Sequence, residues 1–166
     1  MSREFRKWVD EYQDQAWTLA RYMLGDPSEA EDVCQESFVK LWHHQDRIHT
    51  EKTRPWLMKV VRNGCLDRIR RRKPEGELFH DTLVDHGPGP LQGMEQSETG
   101  SQLKAAIAAL REPYRSLVVL RDVQQHSYSD VARTLELTMS QVKVYLHRAR
   151  KQLREQLAPI REGAGA

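Results

Sequence analysis

Disulfides are the first thing this sequence lacks the means to build. Two cysteines, Cys34 and Cys65, in 166 residues make no disulfide framework, nor a four-ligand zinc site without help from histidines, so a reduced setting is expected. No apolar run approaches the roughly 20 residues that span a bilayer, and the opening MSREFRKWVDEYQ is charged, without a signal-peptide core. A cytoplasmic location is the expectation. Strand-type alternation is nearly absent. There is no Gly-rich phosphate loop, no paired metal-protease histidines and no nucleophile elbow. The expectation is a chain that is not an enzyme and has no cofactor, no metal and no small-molecule substrate.

Charge of one sign is also lacking in total, because 26 basic residues nearly offset 24 acidic ones for a net +2. Partners must therefore be read from where the charges lie. With 39% hydrophobic and 30% charged residues the chain suits one soluble domain or two small ones.

What is present is helical periodicity. Phe5, Trp8, Val9, Tyr12, Ala16, Leu19, Ala20 and Met23 recur at three- and four-residue spacing up to Leu24-Gly25, which predicts a helix over about residues 3 to 23. A second restarts at Asp26, with Pro27 at its first position and Glu29 in the capping-box place. Its apolar stripe is Ala30, Val33, Cys34, Ser37, Phe38, Leu41 and Trp42. After the aperiodic QDRIHTEKT, a third helix begins near Pro55 and lays Leu57, Val60, Val61, Cys65 and Ile69 on one side. Residues 74 to 100 hold three prolines, five glycines and six acids but no lysine or arginine, which reads as an extended connector. Beyond it, Leu103, Ala106, Ile107 and Leu110 mark one helix and Pro113 opens another. Ser127 with Asp130, and Thr138 with Gln141, each fit a capping box, predicting a helix over about 128 to 136 and a second after a tight turn. That is the helix-turn-helix pattern, with small Ala132 at the crossing. The fold class expected is all-α: two small helical domains joined by a flexible linker, the C-terminal one a helix-turn-helix. The boundaries are 1–73, linker 74–100, 101–158 and a flexible tail 159–166.

The last helix has two unlike faces. Val142, Leu146, Ala149, Leu153 and Leu157 form one stripe, and Lys143, His147, Arg150, Lys151 and Arg154 form another. In a helix-turn-helix the second helix lies in the major groove. Lys143, Val144 and His147 fall near base edges, Arg148, Arg150, Lys151 and Arg154 toward phosphates, and Ser140 and Gln141 belong to the same DNA-binding set. A second basic cluster, Arg62, Arg68, Arg70, Arg71, Arg72 and Lys73, exceeds what a helix C-terminus needs for its dipole and suits phosphate contact. On the second helix, Asp32, Gln35 and Glu36 share one face. That face repels DNA and calls for a basic protein partner.

The order LGDPSEAEDVCQESFVKLW, then RPWLMKVVRNGCLDRIRRRKP, then a linker, then LREPYRSLVVLRDVQQHSYSDVARTLELTMSQVKVYLHRARKQL resembles the extracytoplasmic-function sigma factors of the sigma-70 family, from about Phe5 to Leu157. The resemblance implies that Asp32, Gln35 and Glu36 dock on core RNA polymerase, at the beta-prime clamp helices, with the beta subunit as a further contact. It implies that Trp56, Lys59, Arg62 and Asn63 melt and hold the minus-ten element, with Arg68, Arg70, Arg71, Arg72 and Lys73 along the single strand. The last helix then reads the minus-thirty-five element of promoter DNA. An anti-sigma partner, able to hold the protein at a membrane, is a further implication. Where relatives often carry a Ser-Arg pair in that helix, this chain has Val144-Tyr145, so their base preference does not transfer. The alternative is a helix-turn-helix transcriptional regulator with an N-terminal helical sensor or dimerisation domain, which has little use for the cations at 68 to 73. His43, His44, His49, Cys34 and Cys65 invite a metal or redox reading, but both cysteines fall on apolar stripes and are expected to act as small buried hydrophobes.

Overall fold

A computed structural model of the protein describes residues 2–72 and 98–165, with side chains described as far as Pro159. Lys73 and most of the expected linker lie outside the described residues. The last three linker positions, Glu98 to Gly100, already belong to a helix.

Helix α1 (Arg3–Leu24) starts where Ser2, in extended conformation, accepts a hydrogen bond from the Phe5 N–H at 3.1 Å. It stops at Gly25, whose φ of 78° is left-handed and whose N–H returns to Arg21 O at 2.9 Å, a position glycine takes without a Cβ penalty. Helix α2 (Pro27–His44) follows at once, capped by the Asp26 carboxylate on Ser28 N–H at 2.9 Å. The expected capping box at this end is not completed: Glu29 pairs with Arg72 instead. Two short 3-10 turns, Gln45–Arg47 and Thr50–Lys52, lead into α3 (Thr53–Arg72). Gly64 lets α3 approach α2, because a Cβ there would lie 3.0 Å from Val33 Cγ1. Trp8, Leu19, Met23, Val33, Leu41, Leu57, Met58 and Val61 are buried between these three helices.

The second lobe consists of α4 (Glu98–Ala108), α5 (Tyr114–Val118) widening into a π turn over Val119–Val123, α6 (Tyr128–Leu135) and α7 (Met139–Gly165). The fold is all-α, in two helical lobes. Ser127 caps α6 through Asp130 N–H at 3.1 Å, while the Asp130 carboxylate turns away to Arg54. The turn into α7 is closed by Glu136 in left-handed geometry, φ 55°. The second capping box forms in full, with Thr138 N–H on Gln141 Oε1 at 2.9 Å and Gln141 N–H on Thr138 Oγ1 at 3.1 Å. Val142, Leu146, Ala149 and Leu153 bury one stripe of α7, which packs on α5, α6 and α4. Each of the larger side chains contributes about 1.5–3 kcal/mol by leaving water. Where a tail was expected from 159, the backbone stays helical to Gly165, through Pro159.

The lobes meet along α1 and α3. Arg115, 5% exposed, donates to Leu110 O at 2.9 Å in its own lobe and to Met23 O at 3.2 Å in the other. Burial holds its pKa below the ordinary arginine value. The guanidinium keeps its charge there because it satisfies carbonyls that would otherwise be unpaired.

Candidate functional site

The outward face of α7 is the clearest chemical surface. Ser140, Gln141, Lys143, Val144, His147, Arg148, Lys151 and Arg154 are all exposed on it. Gln141 spends its side-chain oxygen on the capping box, which leaves only its amide N–H groups for a ligand. Arg150 differs from its neighbours. Its Nε and Nη2 meet the Asp122 carboxylate at 3.1 and 2.5 Å, fastening α7 to the π turn. The expectation of a phosphate contact there meets a side chain already held in a two-point ion pair, since the basic stripe on the wheel does not reveal which member faces Asp122.

The cations of α3 are similarly engaged. Arg62 donates through Nε to Ser116 Oγ at 2.9 Å and pairs through Nη2 with Glu112 at 3.4 Å. Lys59 pairs with Glu136. Arg54, which the sequence reading passed over, pairs with Asp130 at 2.8 Å. All three acids belong to the second lobe. Trp56 is half-buried, its ring 5.5 Å from that of His44. Asn63 is exposed on the same helix. Further along, Arg68 pairs with Glu36 at 2.9 Å and reaches Asp32 at 3.9 Å, so one expected DNA cation sits against two expected docking acids. Arg70 pairs with Asp67 at 3.1 Å. Arg72 pairs with Glu29 and donates to Leu24 O at 3.3 Å. Arg71 is exposed and has no ion-pair partner among the described residues.

Asp32, Gln35 and Glu36 are exposed on α2, beside a feature that the stripe assignment hid. An open apolar groove of about 800 Å³ runs between α1 and α2, lined by Phe5, Trp17, Phe38, Val39 and Trp42, with Asp14, Glu31 and Gln35 among its polar members. Val39 and Trp42 are 55% and 39% exposed. The Phe5 and Trp42 rings meet edge-on at 5.0 Å. Sequence periodicity placed Trp42 in the core; the signal that could have separated it was its position at the solvent margin of the stripe, beside polar His43 and His44.

Between the lobes lies His126, fully buried. Its Nε2 is 2.8 Å from Gln15 Oε1 and its Nδ1 has no partner, so Nε2 carries the proton. Burial first, then nearby Arg54, pulls its pKa down to about 4. Cys34 and Cys65 are both buried free thiols. Burial pushes Cys34 up to about 12 and raises Cys65 as well, which keeps both in the unreactive thiol form. Among the described residues no three His, Cys, Asp or Glu side chains gather to hold a metal, and no helix is long and apolar enough to cross a membrane.

Comparison with known proteins places this geometry. Residues 8–75 match the family model for sigma-70 region 2, and residues 100–153 the model for sigma-70, region 4. The chain is 30% identical over 164 residues to the ECF RNA polymerase sigma factor SigW of Bacillus subtilis, covering 92% of this chain and 88% of that one. It is 31% identical over 157 residues to the ECF RNA polymerase sigma factor SigE of Mycolicibacterium smegmatis, where the match covers 90% of this chain but 60% of the relative. In fold it resembles the sigma factor RpoE solved with the anti-sigma factor NepR from Bartonella quintana, with a TM-score of 0.75, 23% identity and coverage of 95% and 98% of the two chains.

Proposed function

This chain belongs to the extracytoplasmic-function sigma factors of the sigma-70 family, and from that premise we propose how its two lobes divide the work. The protein is a transcription initiation factor. It binds core RNA polymerase and directs it to promoters, and the core performs the phosphoryl transfer. The N-terminal lobe, residues 1–73, docks on the core and opens the minus-ten element. The lobe of residues 101–158 recognises the minus-thirty-five element. The segment between α3 and α4 connects them.

Core docking falls to the exposed face of Asp32, Gln35 and Glu36 and to the apolar groove beside it. The carboxylates suit a basic partner surface, and the groove accepts apolar side chains from it. Because charged groups at an interface rim mainly set encounter and register, while a filled pocket supplies affinity, the combination fits a specific protein partner rather than a solvated face. Trp56, Lys59, Arg62 and Asn63, with Arg68, Arg70, Arg71, Arg72 and Lys73, serve the melted strand. Ser140, Lys143, Val144, His147, Arg148, Lys151 and Arg154 serve the upstream duplex. Lys59 and Arg62 are paired with carboxylates of the other lobe, so promoter binding by this set requires the lobes to part. An anti-sigma protein that engages the lobes while they are together is consistent with this arrangement, and a cytoplasmic site of action follows from the partner.

The observation that carries the proposal is the outward basic face of α7 behind a complete capping box and tight turn, on the same chain as the acidic, grooved face of α2. Run-off transcription with core RNA polymerase and a promoter library tests it. Start sites defined by a bipartite upstream sequence, absent without the chain, are expected. Failure to change initiation on any template would overturn it.

A further inference from the structure

On α7 one exposed residue is of the wrong kind for a solvated helix face. At 100° per residue, Val144 lies about 200° from Val142, almost opposite the stripe that Val142, Leu146, Ala149 and Leu153 bury. It is 46% exposed. Its neighbours one turn away are Ser140, His147 and Arg148, all exposed and polar. Burial does not explain an apolar side chain there. Helix propensity does not either, since β-branched valine is among the weaker helix formers.

Major-groove chemistry does explain it. Of the base edges displayed in that groove, only thymine presents an apolar group, its C5-methyl, and small apolar side chains contact it. Arg148, Lys151 and Arg154 can hold the helix to flanking phosphates, while Lys143 and His147 border Val144, which leaves the short valine at the centre of the face against the base edges. Ser140, small and one turn earlier, does not obstruct that approach. Resting on the assignment of α7 to the upstream promoter element, we propose that Val144 is a specificity-determining residue that reads the C5-methyl of one thymine in that element.

The test uses holoenzyme assembled from the full chain and core RNA polymerase. A promoter is first selected from a library randomised upstream of the start site. Each thymine of its upstream element is then replaced singly by deoxyuridine, which removes the methyl and nothing else. Methyl-sized apolar burial corresponds to about a fourfold change in affinity. One position is expected where deoxyuridine weakens wild-type binding by about that factor. At that position 5-methylcytosine, which restores the methyl, should lose less than cytosine does. Val144→Ser should bind the thymine and deoxyuridine templates equally, while Val144→Ile keeps the discrimination. Val144 is exposed, so both variants should retain the wild-type helical circular dichroism. Initiation without any methyl-sensitive thymine, or with Val144→Ser still sensitive, overturns this inference alone. Absence of initiation on every template overturns the functional assignment together with it.

Discussion

Asp130→Asn tests whether the lobes are held together by the ion pairs of α3. Arg54 and Asp130 meet at 2.8 Å, with side chains 30% and 19% exposed. A hydrogen bond involving charged groups contributes about 1.5–3 kcal/mol when buried, and exposed pairs contribute about 0–1 kcal/mol. At this intermediate exposure about 1–2 kcal/mol is reasonable, which shifts the closed-to-open ratio by about five- to thirtyfold. Asp130 also sits in the first turn of α6, where a carboxylate favours the helix dipole by about 0.3–1 kcal/mol. Arg54→Gln breaks the same pair without touching α6, so agreement between the two variants isolates the seam. The assay is energy transfer between dyes on Asp10→Cys and Arg154→Cys, since the buried native thiols resist labelling. Both variants should lower the transfer and tighten binding of single-stranded minus-ten DNA by up to the same factor, because apparent affinity scales with the competent fraction. Unchanged transfer and unchanged affinity in both would refute the view that these pairs close the molecule.

Asp32→Arg should weaken capture of core RNA polymerase in a pull-down while costing the fold less than about 1 kcal/mol, because its link to Arg68 is long, 3.9 Å, and 60% of the Asp32 side chain is exposed. Arg150→Ala should destabilise the C-terminal lobe by about 1 kcal/mol in urea melts and leave the salt slope of DNA binding unchanged, since the side chain is bound to Asp122; Lys151→Ala, on the open face, should lower the slope by about 1. His126, with a folded pKa near 4 against about 6.5 unfolded, binds fewer protons folded than unfolded between those values. Stability is therefore full above pH 6.5 and falls toward pH 4 by at most about 1.4 kcal/mol per unit, and His126→Gln should flatten that part of a stability profile.

The helices were legible because their caps are local chemistry. Ser127, Thr138 with Gln141, Asp26 and Gly25 each act within four residues of themselves, and all appear where spacing puts them. The face of α7 was legible for the same reason. What the sequence does not reveal is which charge meets which. Arg54, Lys59 and Arg62 find partners 50 to 77 positions away, and no periodicity on α3 distinguishes a cation destined for a carboxylate from one left to phosphate. Arg115 carries no local sign of burial either, because the carbonyl it reaches in the other lobe, that of Met23, is 92 positions away. Glu29 and Asp130 show the converse. Each occupies a capping-box position, yet each side chain is drawn to a distant arginine, where both partners are charged, whereas a reciprocal cap offers the carboxylate only a neutral N–H.

Under the proposed minus-ten role, the double use of Lys59 and Arg62 also constrains how the molecule opens. Lys59 and Arg62 cannot satisfy Glu136, Glu112 and a phosphate together without placing carboxylates beside the DNA backbone. At physiological salt that repulsion is screened over about 8 Å. Parting of the lobes must then carry Glu112, Asp130 and Glu136 at least that far from α3, a separation incompatible with the buried Arg115–Met23 contact. Opening is accordingly a whole-lobe displacement that breaks the Arg115 bond and exposes His126, rather than a rearrangement of surface side chains. On the proposed docking assignment, core polymerase gripping the acidic face of α2 can offset that cost while competing with the proposed DNA set only at Arg68. That arginine, bound to Glu36 and Asp32 when the chain is alone, is where docking and strand binding meet: a partner cation taking over those carboxylates would free Arg68 for phosphate.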